Sequence, residues 1–477
     1  MDWETVRSTF KQVWGYDDFR PPQGEVIANL LARQDSMIVL ATGSGKSICF
    51  QLPALLQNGL TLVISPLLSL IEDQVKDLQS RNLAAAALHS SLSNLDRKQV
   101  FRSIPSLRLL YLSPETLLSK SVWERLSDPD LAIVGMMIDE AHCLGQWGDS
   151  FRPDYRRLGV VRSALMAHKP ASHGKMAIAA FTATADPKTQ SAVTSCLKLH
   201  KPQVIRTSPY RSHLSLNVAI AWTMAGRKSQ TLKFIQAERG KSGLIYVRSR
   251  RETEELAQWL RAESFNTCAY HGGLPSSERR EIERKWLCGI YPFVIATSAF
   301  GLGINKPDVR WIIHYHSPLT LSEYIQEVGR AGRDGKYAKA LMLVSEPTGI
   351  LDSSDRNRQD FFLQEQYKLR YKAQMLIPKL PPRGKYEEVS RSFPEAAIAL
   401  GLLHSLGKLI WHNPFEYQIL NSKTELPDYD RTALDQMQNY ISSKSCRWAF
   451  LMSAFGFSQE AKSLKCGICD RCLKFNS

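Results

Sequence analysis

Short runs of apolar residues alternate with amphipathic stretches along most of the chain, and each run ends in polar, small or acidic residues. The first series, from Ser36 to about Thr184, consists of SMIVL, TLVISP, LRLLYLSP, VGMMIDE and KMAIAAFTAT; the second consists of SGLIYVRS, NTCAYHGG, YPFVIATS, VRWIIHYHSP and AKALMLVS. Such runs are typical of buried parallel strands. The pattern predicts an α/β fold with two tandem doubly wound parallel-sheet domains, residues 1–207 and 208–350, joined near Arg206 to Ser215.

The pattern changes to long polar helices after about Glu346. Residues 351–380 are predicted to be helical up to the paired prolines of KLPPRGK, which end the helix. Residues 381–426 predict a helix, a turn and a helix followed by two short strands around Asn413 and Pro414, the order of a small winged-helix unit. Residues 427–477 return to helix. We therefore expect a helical platform, 351–380 and 427–477, that carries a winged-helix-like insertion.

Composition and charge narrow the class of protein. With 477 residues, 44% hydrophobic and 22% charged, the chain has the composition of a soluble globular protein with several domains. No apolar run is long enough to span a bilayer, and MDWETVRSTF has acids where a secretory signal would be basic, so we expect a cytoplasmic protein without membrane contact. The net charge of +15 and the pI near 9.3 suggest a polyanionic partner, although charge alone is weak evidence.

The stretch ATGSGKS, Ala41 to Ser47, follows the first apolar run and is predicted to be a turn between a strand and a helix. Gly43 and Gly45 allow successive N–H groups to face one concavity, and a helix start favours anions. Lys46 would then reach the terminal phosphates of a nucleotide, and Ser47 would ligate Mg²⁺. The strict phosphate-loop pattern has Gly where this chain has Leu40, so a glycine-rich turn without a ligand is the alternative.

Two further groups suit phosphoryl transfer. Asp139 and Glu140 end an apolar strand, where Asp139 suits magnesium binding and Glu140 suits activation of the attacking water; a structural salt bridge is the alternative. Arg330 and Arg333 are three residues apart in YIQEVGRAGRDG and are predicted to share one helical face. We favour Arg333, then Arg330, as the cation that stabilises charge on the γ-phosphate, against the alternative of an exposed basic helix.

The nine cysteines fall into two groups. Five are scattered through apolar segments and are expected to be buried reduced thiols: Cys49, Cys143, Cys196, Cys268 and Cys288. The other four have metal-ligand spacing, with Cys446 on a predicted helix and Cys466, Cys469 and Cys472 on a tight turn. Tetrahedral Zn²⁺ is the favoured ligand, and an iron–sulfur cluster is the rival because it uses the same residues.

Taken together, the motifs resemble those of RecQ-family DNA helicases. The matching segments are WGYDDFRPPQ, TGSGKS, VISPLLSLIEDQV, LYLSPE, DEAH, FTATA, IATSAFGLGINKPDVR, QEVGRAGRDG and the cysteine segment. The most specific is AHCLGQWGDSFRPDY, which resembles the aromatic-rich loop of this family. The resemblance removes the objection to Leu40, because these helicases do not require Gly there. It implies two RecA-like domains and a zinc-binding helical platform.

The resemblance also implies roles for individual residues. For ATP it implies Tyr16, Arg20, Gln23, Thr42, Gly43, Ser44, Gly45, Lys46, Ser47 and Gly303. His142 and Gln326 join the catalytic set with Lys46, Asp139, Glu140, Arg330 and Arg333. For DNA it implies Ser65, Pro66, Ser113, His271, Thr297 and Asn305, and Gly303 and Asn305 look like parts of a coupling segment.

In the aromatic-rich loop, Trp147, Phe151 and Tyr155 would offer flat faces to bases and Arg152 would offer charge, as in proteins that grip single strands without reading sequence. Packing of Trp147 and Phe151 beneath a loop is the alternative.

The chain departs from the family pattern near its end. Ser477 lies five residues beyond Cys472, so the winged helix that follows the zinc platform in RecQ proteins is expected to be absent, and the small helical domain that often ends the chain with it. We hypothesise that the inserted hairpin LIWHNPFEYQI separates strands instead, with Trp411, His412 or Phe415 as the wedge. A wing that packs only on its own helices is the alternative.

The combined interpretation is an ATP-dependent 3′–5′ DNA helicase that uses ATP, Mg²⁺ and Zn²⁺ and acts on single-stranded and forked or junction DNA. Single-strand-binding or recombination proteins are candidate partners, and the expected location is the nucleoid. A DNA-stimulated translocase without strand separation, and a structural DNA-binding protein with a degenerate nucleotide site, are the alternatives. Preference for RNA is a weaker one, since nothing in the aromatic loop excludes a 2′-hydroxyl.

Overall fold

The computed structural model describes residues 2–145, 152–301, 304–421 and 424–474. The chain divides into two compact units. Unit 1 contains residues 1–207 and 365–429, and unit 2 contains residues 208–364 and 430–477.

Unit 1 is built around a seven-stranded parallel sheet of order β3-β4-β2-β5-β6-β1-β7. The strands are β1 Ser36–Val39, β2 Leu60–Ile64, β3 Ala85–Leu88, β4 Leu109–Leu112, β5 Ile133–Ile138, β6 Ala177–Thr182 and β7 Gln203–Arg206. The helices are α1 Trp3–Trp14, α2 Gln23–Leu31, α3 Lys46–Leu56, α4 Leu68–Ser80, α5 Asn94–Ser103, α6 Pro114–Leu117, α7 Lys120–Leu126, α8 Val161–Met166 and α9 Pro187–Cys196. A 3-10 helix, Pro153–Val160, precedes α8.

The five apolar runs of the first series form β1, β2, β4, β5 and β6, and every residue of these strands is buried. Two strands were not predicted. The run AAAL of β3 is too poor in β-branched residues to give a strand signal, and the edge strand β7 has three exposed residues of four.

Unit 2 holds a second parallel sheet, six-stranded and of order β10-β11-β9-β12-β13-β8. Its strands are β8 Leu214–Ala221, β9 Gly243–Tyr246, β10 Thr267–Tyr270, β11 Phe293–Ala296, β12 Trp311–His314 and β13 Ala338–Ser345. Its helices begin with α10 Met224–Ala237, α11 Arg250–Ala262, α12 Ser276–Leu287 and α13 Leu321–Val328. The second series of runs is confirmed as β9 to β13. Edge strand β8 was missed because its second half is only partly buried.

The helix α14, Ser354–Leu376, is followed by a small antiparallel sheet of order β14-β16-β15. Its elements are β14 Arg383–Lys385, α15 Tyr386–Ser392, α16 Ala396–Ser405, β15 Leu409–Asn413 and β16 Glu416–Ile419. The two helices and the hairpin were predicted, whereas the three-residue β14 was not. We call residues 381–426 the insertion. Its contacts group it with unit 1.

Four helices complete unit 2: α17 Thr432–Ser442, α18 Arg447–Ala454, α19 Ser458–Lys462 and α20 Asp470–Lys474. Trp448 is fully buried, and its indole N–H donates to the carbonyl of Leu214 at 2.8 Å, which fixes α18 against the start of β8. Among the described helices, none has both the length and the apolar content needed to cross a bilayer.

Candidate nucleotide, metal and DNA sites

The glycine-rich turn between β1 and α3 has the backbone of a phosphate cradle. Gly43 and Gly45 have φ values of 82° and 79°, in the left-handed region that favours glycine, and α3 begins at Lys46. A Cβ at Gly45 would also collide with the amide nitrogen of Gln23. The turn is therefore committed to glycine at this position both by its dihedral angles and by a close neighbour.

Gln23 holds this turn from outside. Its amide nitrogen donates to the carbonyl of Ser44 at 2.9 Å, and its amide oxygen accepts from the backbone N–H of Arg20 at 2.9 Å. Tyr16 is 49% exposed and packs on Phe10 with ring centroids 5.7 Å apart. The structure thus brings Gln23 to the predicted phosphate loop and leaves the Tyr16 ring open to solvent, while their contacts to adenine remain predictions.

A line of polar side chains runs from the cradle along the ends of the neighbouring strands. The ammonium of Lys46 lies 3.9 Å from a carboxylate oxygen of Glu140, whose other oxygen lies 3.2 Å from Nδ1 of His142. That Nδ1 is also 3.1 Å from the hydroxyl of Thr182, at the end of β6. Thr182 in turn contacts the backbone of Thr184.

Thr182 and Thr184 belong to the FTATA motif, whose individual residues had no predicted role. The only available signal was that FTATA follows an apolar run, as DEAH does. Adjacent parallel strands bring such ends together, since β5 pairs with β6.

Burial and charge perturb two of these groups. Burial, and then the neighbouring Glu140, raises the pKa of Asp139 to about 6. For His142 burial opposes the charged form, but Cys143 and Glu140 beside the ring outweigh it and raise its pKa to about 10. A buried acid that is costly to ionise and a buried ammonium, Lys46, whose Nζ lacks a hydrogen-bond partner among the described residues, are what a site for a cation and a polyphosphate provides.

In unit 2 the two predicted arginines do not lie on a helix. Helix α13 ends at Val328, and Arg330 and Arg333 follow in turns that include Gly332 with φ 62°. The prediction of a shared helical face is therefore wrong, because the glycines of the segment favour turns.

Both arginines nevertheless bind one segment. Arg330 donates to the carbonyl of Gly301, and Arg333 donates to the carbonyl of Ile304 at 2.9 Å and to Asn305 at 3.1 Å. Burial, and then the nearby Arg330 and Arg211, lowers the pKa of Arg333 to about 10. Arg211 was not singled out from the sequence. Clustered, partly desolvated guanidiniums favour an anion.

Four cysteines meet at the end of unit 2. The Sγ atoms of Cys446, Cys466, Cys469 and Cys472 all lie within 4.8 Å of one another. Backbone N–H groups point at two of them, from Cys466 to the sulfur of Cys446 at 3.4 Å and from Cys472 to the sulfur of Cys469 at 3.5 Å. Cys446 lies at the N-cap of α18, one residue before the helix on which it was predicted.

The surroundings of the cysteines are fixed by a buried arginine. Arg447 is 1% exposed and makes two hydrogen bonds to the carboxylate of Asp470, at 2.8 and 2.9 Å.

Of the five other cysteines, Cys49, Cys143, Cys196 and Cys268 are buried as predicted. Cys288 is exposed, which corrects the prediction, because it lies just past the end of α12.

Comparison with known proteins decides the family. Profiles described as DEAD/DEAH box helicase, helicase conserved C-terminal domain and RecQ zinc-binding match residues 20–193, 227–335 and 411–473. The ATP-dependent DNA helicase RecQ of Synechocystis is 48% identical over 480 residues, covering 99% of each chain. The chain belongs to the RecQ family of ATP-dependent DNA helicases.

Other relatives match over a shorter region. The RecQ helicase of Pasteurella multocida is 40% identical over 71% of this chain and 52% of its own. Among solved structures, Dbp5 of S. cerevisiae bound to RNA has a TM-score of 0.58 at 14% identity, covering 75% of this chain and 93% of its own. The Lhr helicase of Mycobacterium smegmatis, bound to single-stranded DNA, has a TM-score of 0.57 at 18% identity, covering 83% and 57%. The two structural matches support the fold alone.

The DNA contacts implied by the RecQ resemblance lie at the carboxyl ends of adjacent strands. In unit 1, Ser65 and Pro66 follow β2 and Ser113 follows the neighbouring β4, where its hydroxyl caps α6. In unit 2, His271 follows β10 and Thr297 follows the neighbouring β11, and His271 pairs with Glu254 at 3.0 Å. Sheet topology thus brings together residues that are distant in the sequence.

The aromatic-rich segment is described only in part. Trp147 and Phe151, like Gly303, lie outside the described residues. Arg152 pairs with Glu115 at 3.1 Å and keeps more than a third of its side chain exposed. Tyr155 is 0% exposed, so its ring belongs to the core instead of offering a face to a base, which corrects that prediction.

The three candidate wedge residues of the hairpin have different surroundings. Trp411 is 4% exposed in the core of the insertion, Phe415 packs edge-on against Trp123 with ring centroids 5.1 Å apart, and His412 is exposed and contacts Gln418. Of the three, His412 alone could meet a duplex without unpacking. DNA contact by His412 and Phe415 stays a prediction.

Proposed function

We propose that this RecQ-family protein hydrolyses ATP between Lys46, Asp139 and Glu140 and uses the energy to move 3′ to 5′ along single-stranded DNA and to open forked or junction duplexes. The observation that carries the proposal is the continuous contact from Lys46 through Glu140 and His142 to Thr182. It links the predicted phosphate loop, the water-activating acid and the FTATA segment in one compact unit.

The residues fit a magnesium–nucleotide complex, since a buried ammonium faces a glycine cradle and a buried acid stands beside it. Ser47 and Asp139 would hold the Mg²⁺, which when bound neutralises phosphate charge and orients the γ-phosphate. Glu140 would orient the attacking water and accept its proton. His142, whose raised pKa keeps it charged at neutral pH, would hold the Glu140 carboxylate turned toward the site.

Remaining assignments follow the family. Tyr16, Arg20 and Gln23 would bind adenine, and Arg333, with Arg330 second and Gln326 in support, would contribute to the γ-phosphate side of the site. Contacts to DNA, mainly to its phosphates, would come from the following residues of both units: Ser65, Pro66, Ser113, Arg152, His271, Thr297 and Asn305. The position of Ser65, Ser113, His271 and Thr297 directly after adjacent strands of the two sheets supports their part of this set.

We also propose that Cys446, Cys466, Cys469 and Cys472 hold Zn²⁺. Four converging sulfurs, two of them accepting backbone N–H groups, fit a tetrahedral thiolate site. Such a site would contribute folding energy to α18, α20 and the cysteine-containing turn before α20.

The test is unwinding of a forked duplex with ATP and Mg²⁺, with Lys46→Ala as the inactive control. Strand separation that requires ATP hydrolysis and fails in Lys46→Ala is the expected result. The second candidate function is a translocase that hydrolyses ATP on DNA without opening duplexes, and it is favoured by the packing of Trp411 and Phe415. DNA-stimulated hydrolysis and protein displacement without strand separation would select it.

A further inference from the structure

The 3-10 helix Pro153–Val160 lies between the DEAH segment and the insertion. On one side Tyr155 is fully buried in the same core cluster as Ala141, Cys143 and Leu144, which directly follow Glu140. On the other side Val160 belongs to the core cluster of the insertion. A displacement of this short helix would therefore disturb the packing of both the segment after Glu140 and the insertion.

Arg157 fastens the short helix to the insertion. Its guanidinium carbon lies 3.7 Å from the ring centroid of Tyr386, and one of its nitrogens donates to the carbonyl of Pro414 at 3.1 Å. Another nitrogen pairs with Asp154, which also accepts a hydrogen bond from the Tyr386 hydroxyl at 3.3 Å. The arginine, the tyrosine and the acid thus all contact one another, and they come from two segments that are distant in the sequence.

Because this group is buried, its contacts are required for stability and are not a chance surface contact. Arg157 is 4% exposed, and a desolvated guanidinium is stable only when a ring, a carbonyl or an acid satisfies it. If the insertion moved away, Arg157 would lose both Tyr386 and Pro414. The hairpin tip has a second anchor close by, because Phe415 packs on Trp123 in α7.

The anchored helix also begins beside a predicted DNA contact. Arg152 immediately precedes it and pairs with Glu115 in α6, next to Ser113. Tyr155, three residues later, lies against the segment that carries His142. If Arg152 moves, the first turn of the Pro153–Val160 helix can transmit the movement to the segment after Glu140. This requires that the other end of the helix is held in place.

We propose that the insertion is a brace, with Arg157 and Tyr386 as positioning residues that hold the Pro153–Val160 helix so that DNA contact changes ATP hydrolysis. This inference rests on the proposed function for its consequence, but not for the contacts themselves. The insertion affects how strongly DNA contact changes ATP hydrolysis, and its hairpin makes internal contacts within unit 1.

The test compares Arg157→Ala, Arg157→Lys, Tyr386→Leu and Tyr386→Phe in the full-length protein. Arg391→Ala is the matched control, because Arg391 is an exposed residue of the same helix α15 and pairs only with Glu387 among the contacts described. Hydrogen exchange of the amides of residues 153–160 measures the brace directly. ATP hydrolysis at increasing single-stranded DNA gives the basal rate, the maximal stimulation and the DNA concentration at half-maximal stimulation.

We expect faster exchange over residues 153–160 in Arg157→Ala and Tyr386→Leu, and a fall of about threefold to tenfold in the ratio of stimulated to basal hydrolysis. Tyr386→Phe keeps the ring over Arg157 and loses only the 3.3 Å hydrogen bond to Asp154, so its exchange and stimulation should stay close to those of the wild type. Arg157→Lys keeps only the charge and should not rescue. Arg391→Ala should leave exchange and stimulation unchanged.

Two results would overturn the proposal. Unchanged exchange in both Arg157→Ala and Tyr386→Leu would show that no brace exists, and faster exchange with intact stimulation would show that the brace does not couple DNA to hydrolysis. If Arg157→Ala does not fold, Tyr386→Leu decides by the same readouts. Absence of DNA stimulation in the wild type would instead reject the proposed function, and the exchange data would still decide whether the insertion holds the helix.

Discussion

Replacing Gly45 by alanine tests whether the turn before α3 is a phosphate cradle. At φ 79° an alanine side chain costs about 1–2 kcal/mol. The new Cβ would also displace the Gln23 amide and break its 2.9 Å bond to Ser44, which is worth about 1 kcal/mol. If the nucleotide-free loop relaxes to escape this strain, the nucleotide must supply the free energy on binding, and the dissociation constant rises by about 30- to 150-fold.

The assay is equilibrium binding of a fluorescent ATP analogue with Mg²⁺. Gly407→Ala is the matched control, since Gly407 has φ 67°, lies just past the end of α16 in the same unit and has no described atom within 4 Å of the position that a Cβ would take. It should lower stability by about 1–2 kcal/mol and leave nucleotide affinity unchanged. In a Gln23→Ala background only the backbone cost remains, so Gly45→Ala should there weaken binding by only about 5- to 30-fold.

Three outcomes would refute this reasoning. If Gly45→Ala changes affinity by less than about twofold, the loop does not need its glycine geometry to bind nucleotide. If the loss is the same with and without Gln23, the close approach of the amide is irrelevant and the backbone angle alone acts. A Gly407→Ala variant that also loses affinity would mean that general destabilisation, and not the cradle, is being measured.

Three further predictions concern other parts of the molecule. Arg333→Ala should lower DNA-stimulated ATP turnover by about a thousandfold with a normal melting temperature, whereas Arg330→Ala should also lower the melting temperature because it is buried; equal melting temperatures would contradict this. Cys469→Ser should lose zinc by elemental analysis yet still bind ATP, because the phosphate loop belongs to the other unit; bound iron in the wild type would contradict the zinc assignment. Burial, and then Arg156 and Lys198, lowers the pKa of His404 to about 4, so the unfolded chain takes up its proton first as pH falls and stability should drop by about 1–2 kcal/mol between pH 7 and pH 5. Denaturant titrations at both pH values should show a smaller drop in His404→Gln, and an equal drop would contradict the prediction.

The sequence predicted the sheets well because parallel strands are buried on both faces. The apolar residues of runs such as SMIVL and YPFVIATS indicate burial without reference to the rest of the chain, and these runs form β1 and β11. Strands β3, β7 and β8 had weaker signals because alanine-rich or edge strands need a neighbour to define them. Their burial follows from the assembled sheet and is not a property of the local pattern.

For the candidate site, the rule that ligands gather at strand ends was enough to bring Asp139 near Lys46, and metal-ligand spacing was enough to bring Cys466 near its partners. It failed where a conformation depends on turns or on what a side chain packs against. The segment after α13 has helical spacing of its arginines, but the helix ends at Val328, and Gly332 with φ 62° places the residues that follow in turns. Tyr155 has the composition of a base-stacking residue, and only packing against Cys143 decides that it is core.

The inserted hairpin shows how far local pattern can mislead about role. Aromatic residues at a proline-containing turn predict an exposed wedge, and the hairpin did form, with Asn413 ending β15. What the pattern could not contain is the partner surface, because Arg157 and Trp123 belong to segments far away in the sequence. If Phe415 acted as a wedge, it would lose its contact with Trp123. Movement of the hairpin tip would also leave the buried guanidinium of Arg157 without its partner in the hairpin. Since an unsatisfied buried guanidinium is costly, the packed aromatic residues of the hairpin are better suited to hold unit 1 together than to part a duplex, and of the three candidate wedge residues only the exposed His412 could meet a duplex without this cost.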